Sequence, residues 1–183
     1  MKKTLIACTF AGLFSLLHSF PVAAQILSVR EQARVIDENL ADRFDNLLPA
    51  MMQETGIDMW IVISREYNED PVLKTMLPAE WLNARRRTIL VFYHNPQTKT
   101  VERLAVARYD FGKNIKAAWD TQKYPEQWDA LIAIVKQRNP QKIGINTSMH
   151  FGHADGLDYT EHQELMQKLP VEFKSRTVSA EPL

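Results

Sequence analysis

Residues 57–64, with the sequence IDMWIVIS, constrain the fold more than any other part of the chain. The run is too short for an ordinary helix, it is rich in β-branched residues, and its apolar side chains occupy odd and even positions alike. A strand formed by these residues would be apolar on both faces and would have to be covered on both. We therefore expect a central strand of a layered sheet, with Trp60 buried.

Four other runs predict the remaining strands. Residues 88–94 (TILVFYH) and 101–107 flank a turn at 95–97 (NPQ), which predicts an antiparallel hairpin. Residues 142–146 (KIGIN) predict another short strand, and residues 171–174 are the last candidate.

The first helix is predicted from its cap and from its apolar periodicity. Ser28 and Glu31 have the spacing of a capping box, in which each side chain bonds the backbone N–H of the other residue. Apolar residues then recur at helical spacing, and Gly56 is suited to end a helix in the left-handed conformation. These signals predict one long amphipathic helix over residues 29–55.

Two more helices have clear start and stop signals. Pro125 suits the first position of one helix, and Pro140 ends it. Its expected buried stripe is Trp128, Leu131, Ile132 and Val135. Asp158, followed three residues later by Glu161, caps the other helix. The expected stripe of that helix is Tyr159, His162, Met166 and Leu169.

The order of these elements predicts an α/β fold, with a mixed β-sheet flanked by helices. The length of 183 residues suits one domain, which we place at residues 25–178. Residues 179–183 carry no helix or strand signal, and we interpret them as the start of a truncated linker.

Residues 1–24 have the composition of a signal peptide. Two lysines precede an apolar run of about 13 residues, which is too short to span a bilayer. Small residues lead up to Ala24, so we expect cleavage after it and a periplasmic or secreted protein without a membrane attachment. Cys8, the only cysteine, lies near the start of the apolar run, and most of the run comes after it, whereas a lipidated cysteine would follow the run. We therefore expect no lipid anchor and, after cleavage, no disulfide.

Charge and motif content exclude several classes of function. The chain has 22 basic and 22 acidic residues, so it lacks the net positive charge typical of proteins that bind nucleic acid. The sequence contains no GxGxxG or GxxxxGK[ST] nucleotide loop, no GxSxG elbow and no HExxH motif.

One segment has the composition of a metal site. Its potential ligands are His150, His153, Asp155, Asp158, Glu161 and His162. Imidazole and carboxylate groups at short spacing bind zinc and other divalent ions. Two glycines make the segment a soft loop that leads into a capped helix, however, and His162 falls on the expected apolar stripe. We favour a structural loop and assign no catalytic, cofactor-binding or metal-ligating residue.

Two charged clusters each have a binding and a structural interpretation. The basic cluster is Arg85, Arg86 and Arg87, and the acidic cluster is Glu66, Glu69 and Asp70. The arginines could clamp a carboxylate, but such runs more often keep their stems on the sheet and their heads in solvent or in ion pairs. The acidic cluster could hold a cation or a peptide amino group, but we expect a solvated loop.

Three segments resemble a known family. They are residues 64–78 (SREYNEDPVLKTMLP), 83–94 (NARRRTILVFYH) and 143–165 (IGINTSMHFGHADGLDYTEHQEL). These segments look like the amino-terminal domain of bacterial Xaa-Pro aminopeptidase-like metallopeptidases, the creatinase and prolidase group. The likeness runs through most of residues 29–178.

The resemblance implies a ribonuclease-H-like amino-terminal domain that supports oligomerisation and shapes access to an active site. It also implies a pita-bread domain, beginning after Leu183, that would bind two divalent metal ions. None of the ligands of those ions has a matching position in this sequence. We therefore expect no cofactor in this chain and no hydrolysis of Xaa-Pro peptides by the chain alone.

Two functions stay open. The chain could be a non-catalytic domain of an exported Xaa-Pro aminopeptidase-like enzyme, partnered by a second copy or by a separate catalytic domain, with a peptide as its ligand. Alternatively, it could be a stand-alone periplasmic module that binds a small ligand or a protein. A pita-bread reading frame downstream of the stop codon would favour the first function.

Overall fold

The computed structural model describes residues 26–183. The predicted signal peptide, with its cleavage site after Ala24 and with Cys8, lies outside the described residues. Over the described part of the chain, no helix is both long enough and apolar enough to cross a bilayer.

The first helical region begins and ends where the sequence predicts. Helix α1 covers Val29–Asp42, and the predicted capping box is confirmed, because Ser28 Oγ accepts from the Glu31 N–H and Glu31 accepts from the Ser28 N–H. Helix α2 covers Leu48–Thr55, and Gly56 ends it with a φ of 67°.

A π-helical turn at Arg43–Leu47 separates α1 from α2, so the expectation of one uninterrupted α-helix is wrong. The cause is Pro49 in the first turn of α2. Its ring has no N–H to donate and would collide with the carbonyl oxygen four residues earlier, that of Asp45. The wider π turn relieves this collision while the chain stays helical.

Six strands form one mixed sheet in the order β4-β3-β2-β1-β5-β6. They are β1 Met59–Arg65, β2 Arg87–His94, β3 Val101–Ala105, β4 Lys116–Ala117, β5 Ile143–Ile145 and β6 Thr177–Ser179. The predicted central position of β1 is confirmed, since β1 pairs antiparallel with β2 and parallel with β5. The predicted hairpin is also confirmed, because β2 and β3 are antiparallel neighbours.

Alternate residues of β1 enter two separate cores. Trp60 and Val62 pack on one face of the sheet, with α2 and the π turn. Met59, Ile61 and Ile63 pack on the other face, with the later helices of the chain. The predicted burial of Trp60 is confirmed, and the sheet is covered on both faces, as an α/β fold with a flanked mixed sheet requires.

The later helices are α3 Gln127–Arg138, α4 Tyr159–Lys168 and α5 Val171–Lys174. Helix α3 starts after Glu126, so the placement of Pro125 at its first position is wrong by two residues. Its last residue is Arg138, and the C-cap Asn139, whose φ of 47° is left-handed, directly precedes the predicted stop at Pro140. Of the expected stripe of α3, Ile132 is only half-buried, whereas the three other members are buried.

The stripe expected for α4 is wrong in part. Tyr159 is exposed, and the inward face instead carries Glu161 and Leu165. An acidic residue can occupy this inward position because it forms an ion pair with Arg87 of β2.

The last part of the chain is more ordered than expected. Residues 171–174 form helix α5 rather than a strand, and the last strand comes later, at β6. Ala180 donates its N–H to Ile145 at 2.8 Å and is buried, and Leu183 packs against the first core. The expectation that 179–183 lack structure is therefore wrong. That a linker begins there stays a prediction.

Candidate functional site

Every strand except β2 has its carboxyl end on the same edge of the sheet, here called the carboxyl edge. This follows from the pairing, since β5 and β6 run parallel to β1, β3 is antiparallel to β2, which is itself antiparallel to β1, and β4 runs parallel to β3. In α/β sheets, ligands bind outside the carboxyl ends of the strands. The loops that follow these five strands are therefore the expected location of a site.

A buried chain of hydrogen bonds, the Asp70–Asn146–Trp60 chain, lies at the carboxyl edge. The Trp60 indole N–H donates to Asn146 Oδ1 at 2.7 Å, and Asn146 Nδ2 donates to Asp70 Oδ2 at 2.6 Å. Asp70 Oδ1 accepts from the Val72 N–H at 2.8 Å, and the Asp70 N–H donates to Ser64 Oγ at 2.9 Å. These hydrogen bonds hold the loop after β1 against the residue that follows β5.

The Asp70 carboxylate lies directly against the backbone of Gly156. A Cβ atom at position 156 would be 2.2 Å from Asp70 Cγ, far inside van der Waals contact. The neighbouring Leu157 N–H donates to the Asn146 carbonyl oxygen at 2.9 Å. Only glycine therefore lets the loop after β5 close over the buried carboxylate.

Burial raises the pKa of Asp70 above its ordinary value of 3.8. Removal of the carboxylate from water is the largest cause, and hydrogen bonds from the Asn146 side chain and from the backbone at Val72 and Leu73 act in the opposite direction. Asp70 has an exposed fraction of 0%, so the expectation of a solvated acidic loop is wrong for this residue. The expectation holds for Glu66, which is exposed.

A cavity of about 290 Å³ opens beside the Asp70–Asn146–Trp60 chain. Its apolar walls come from Leu47, Leu48, Met51, Trp60, Val72, Met76, Phe151, Ala154, Ala180 and Leu183, and its polar groups from Arg43, Thr75, Asn146, His153 and Glu181. Asp70 is not among the lining residues. A mainly apolar cavity with a few polar groups is typical of a site that binds a small molecule.

The structure does not gather the six potential metal ligands into one centre. His150 is exposed, His153 lines the cavity, and His162 is half-buried on α4. The three acids have structural partners: Asp155 accepts from the Ser148 N–H, Asp158 caps α4, and Glu161 pairs with Arg87. Among residues 26–183, no three histidine, cysteine, aspartate or glutamate side chains are placed to hold an ion.

The three arginines are held in different ways. Arg87 donates to Glu161 at 2.6 Å and to Glu164 at 2.9 Å, and its guanidinium lies 4.7 Å from the centroid of the Trp128 ring. Arg85 is exposed, with its guanidinium 5.1 Å from the centroid of the Trp81 ring. Arg86 is exposed, has a φ of 46° and donates its N–H to Glu66. Arg87 is therefore held in ion pairs within the fold, as the structural interpretation of the basic cluster predicts.

Sequence reasoning missed the partners of Trp60. The bond between Trp60 and Asn146 joins residues 86 positions apart, and that between Asp70 and Asn146 joins residues 76 apart. The one local signal was the Asp70-Pro71-Val72 sequence, since an aspartate before proline often turns back to accept from the N–H two residues on.

Comparisons with known proteins give no family assignment. No family model and no curated protein matches the chain. A solved structure of a Xaa-Pro dipeptidase from Bacillus anthracis aligns with 80% of this chain, with a TM-score of 0.42 and 16% sequence identity. The chain spans 34% of that protein. A likeness at this level does not establish a shared activity.

Proposed function

We propose that this chain is a non-catalytic domain of an exported Xaa-Pro aminopeptidase-like metallopeptidase. In this proposal it has the ribonuclease-H-like fold of the amino-terminal domain of creatinase and aminopeptidase P. It supports assembly and shapes access to an active site that another domain or chain carries. The two metal ions of the reaction belong to that other part, and the chain acts in the periplasm or outside the cell.

One observation carries the proposal. The three segments that resemble this peptidase family, though distant in sequence, meet in space. Asp70 of the first segment contacts Asn146 and Gly156 of the third. Arg65 of the first segment pairs with Arg87 at the start of β2, which belongs to the second segment. Parts of all three segments thus lie together at the carboxyl edge.

The hydrogen bonds at that edge favour a structural role for Asp70 over a catalytic one. The Asp70 carboxylate is enclosed by Asn146, Gly156 and the backbone at Val72, so a substrate in the cavity would meet Asn146 first. A carboxylate held in this way fixes two loops relative to each other. That rigidity suits a wall beside an active site better than a group that exchanges protons with a substrate.

The test is a peptidase assay with purified protein. The chain alone, with added manganese, cobalt or zinc, is expected not to release the first residue of an Xaa-Pro peptide. Mixed with a separate pita-bread catalytic chain, it is expected to change the oligomeric state of that chain or its preference for peptide length. Metal-dependent hydrolysis by the chain alone, abolished by His150→Ala or His153→Ala, would contradict the proposal.

The cavity favours a second candidate, a module that binds a small apolar ligand such as a short peptide. Trp60 lines the cavity, so its fluorescence should respond when short apolar peptides are titrated. Leu47→Glu places a charge on the wall of the cavity and should weaken binding by roughly ten-fold or more. Val171→Glu, a change at another exposed apolar residue that does not line the cavity, is the control. Equal binding by both variants would exclude the cavity as the site.

A further inference from the structure

Helix α1 carries apolar side chains that nothing in the described structure covers. Leu40 is the only buried residue of α1. Val29 is 82% exposed and Ile36 is 48% exposed, Ala33 between them is half-buried, and Ile26 and Leu27, just before the helix, are exposed as well. Exposed apolar residues grouped on one face of a helix are typical of a contact surface.

These side chains form one stripe with the spacing of a coiled-coil seam. Val29, Ala33, Ile36 and Leu40 are separated by four, three and four residues, which puts them on one face of the helix. At Leu40 the stripe enters the first core. Towards the amino end of α1 the same stripe continues beyond the core. Its residues there face the same way as Leu40 but have no described partner.

The residues beside the stripe indicate which partner fits it. Arg30 and Asp37, seven positions apart, lie on one flank, and Gln32 and Asn39, also seven apart, lie on the other. When two identical helices pack antiparallel, like flanks face each other. Arg30 of one copy then meets Asp37 of the other, and Gln32 meets Asn39, each pair occurring twice about a two-fold axis.

The local structure leaves these charges free for such a contact. Asp37 Oδ1 accepts from the Ala79 N–H at 2.8 Å, which orients the carboxylate and leaves Oδ2 as a second acceptor. Within residues 26–183, Arg30 takes part in no ion pair. The neighbouring Arg34 and Glu38 lie further from the stripe and pair with each other at 2.7 Å within the helix.

We infer that α1 is the seam of a homodimer in which two copies of this chain pack antiparallel through Ala33 and Ile36, with Val29 at each end of the contact. The inference gives a partner and an orientation to the self-association that the proposed function includes. It rests on the exposed stripe and its flanking charges, and it holds whether or not a peptidase is involved.

The first experiment is sedimentation analysis of the full chain as recovered from cells, with its amino terminus defined by mass spectrometry. The wild-type chain is expected to form dimers reversibly at micromolar concentrations. Ile36→Asp, which puts a charge in the seam, should weaken dimerisation by at least roughly ten-fold. Tyr159→Asp, a change at an exposed aromatic residue on α4, should leave it unchanged. A wild-type chain that stays monomeric overturns the inference.

The second experiment tests the orientation. Arg30→Glu and Asp37→Arg should each weaken self-association by roughly ten-fold, because each creates two like-charge contacts in an antiparallel pair. An equimolar mixture of the two variants restores both contacts and should dimerise as well as the wild-type chain. Circular dichroism confirms that each variant is folded. If the mixture is no better than the single variants, the antiparallel seam is wrong.

The outcomes separate this inference from the proposed function. A chain that dimerises through α1 but leaves a catalytic partner unaffected would support the seam and contradict the peptidase role. A monomeric chain that alters the peptide-length preference of a catalytic partner would do the reverse.

Discussion

At the scale of single residues, Gly156 and Gly152 form a matched pair within one loop. Gly156→Ala would drive a methyl group into the Asp70 carboxylate, whereas a Cβ at Gly152 meets no atom within 4 Å. We expect Gly156→Ala to lower the free energy of unfolding by about 1–3 kcal/mol or more, and Gly152→Ala to change it by less than about 0.5 kcal/mol. Urea denaturation of both variants measures the difference, and equal stabilities would show that the loop does not press on Asp70.

The buried carboxyl of Asp70 should make stability depend on pH. Its pKa is raised in the folded state, so between 3.8 and the folded value the folded chain binds more protons than the unfolded chain. Stability therefore falls as pH rises through that window. Asp70→Asn, which cannot ionise, should lack this component.

Urea midpoints of the wild type and Asp70→Asn, taken from pH 4 to pH 7, measure that component. The wild-type chain is expected to gain stability relative to the variant as the pH is lowered. A difference between the two proteins that does not change with pH would mean that Asp70 titrates alike in the folded and unfolded chains.

At the scale of elements, β2 and α4 are joined by an ion pair with a buried acid. Glu161 has a side-chain exposure of 1%, and Arg87 contacts it at 2.6 Å. Arg87→Met leaves Glu161 buried with only the longer contact to Arg65 at 3.6 Å, which should cost about 3–5 kcal/mol.

Two comparisons give that prediction its control. The double variant Arg87→Met/Glu161→Leu should be more stable than Arg87→Met, because it leaves no unpaired buried charge. Arg34→Met breaks an exposed pair on α1 and should cost no more than about 1 kcal/mol. A cost for Arg87→Met as small as that for Arg34→Met would show that Glu161 is solvated when unpaired.

The elements also show what local sequence signals determine. Long or strongly patterned segments such as β1, β2 and the capped helices were predicted within a few residues, because their burial and capping are local properties. Strand β4 has only two residues and no apolar pattern, so it depends on β3 for its existence. The alternating apolar residues Val171 and Phe173 predict a strand at 171–174, but in the structure these residues form one helical turn after Pro170.

The candidate site was less predictable than the fold. The predicted cap at Asp158 is confirmed, but the expectation that Asp70 is solvated is wrong. Its burial depends on Asn146 and Gly156, which only the folded sheet brings near it. Contacts of this range leave no periodic signal in the sequence.

At the scale of the whole molecule, one strand belongs to both cores, so the two cores should not unfold separately. Phe44→Ala on one face and Leu131→Ala on the other are expected to cost about 3–5 and 2–5 kcal/mol, respectively. In both variants, circular dichroism and tryptophan fluorescence should report one coincident transition. Loss of helical signal in Leu131→Ala at a urea concentration where Trp60 stays buried, measured with Trp60 as the single tryptophan of the protein, would reveal independent layers.

The position of β1 between β2 and β5 also determines how fast its amide hydrogens exchange with deuterium from the solvent. From Met59 to Ile61 both sides of the strand are paired and both faces are buried, so no local fraying can expose the amide hydrogens there. Amides in such a stretch exchange only when the whole molecule opens. The slowest hydrogen exchange in this protein should therefore occur at Trp60 and Ile61, and its rate should follow global stability across variants.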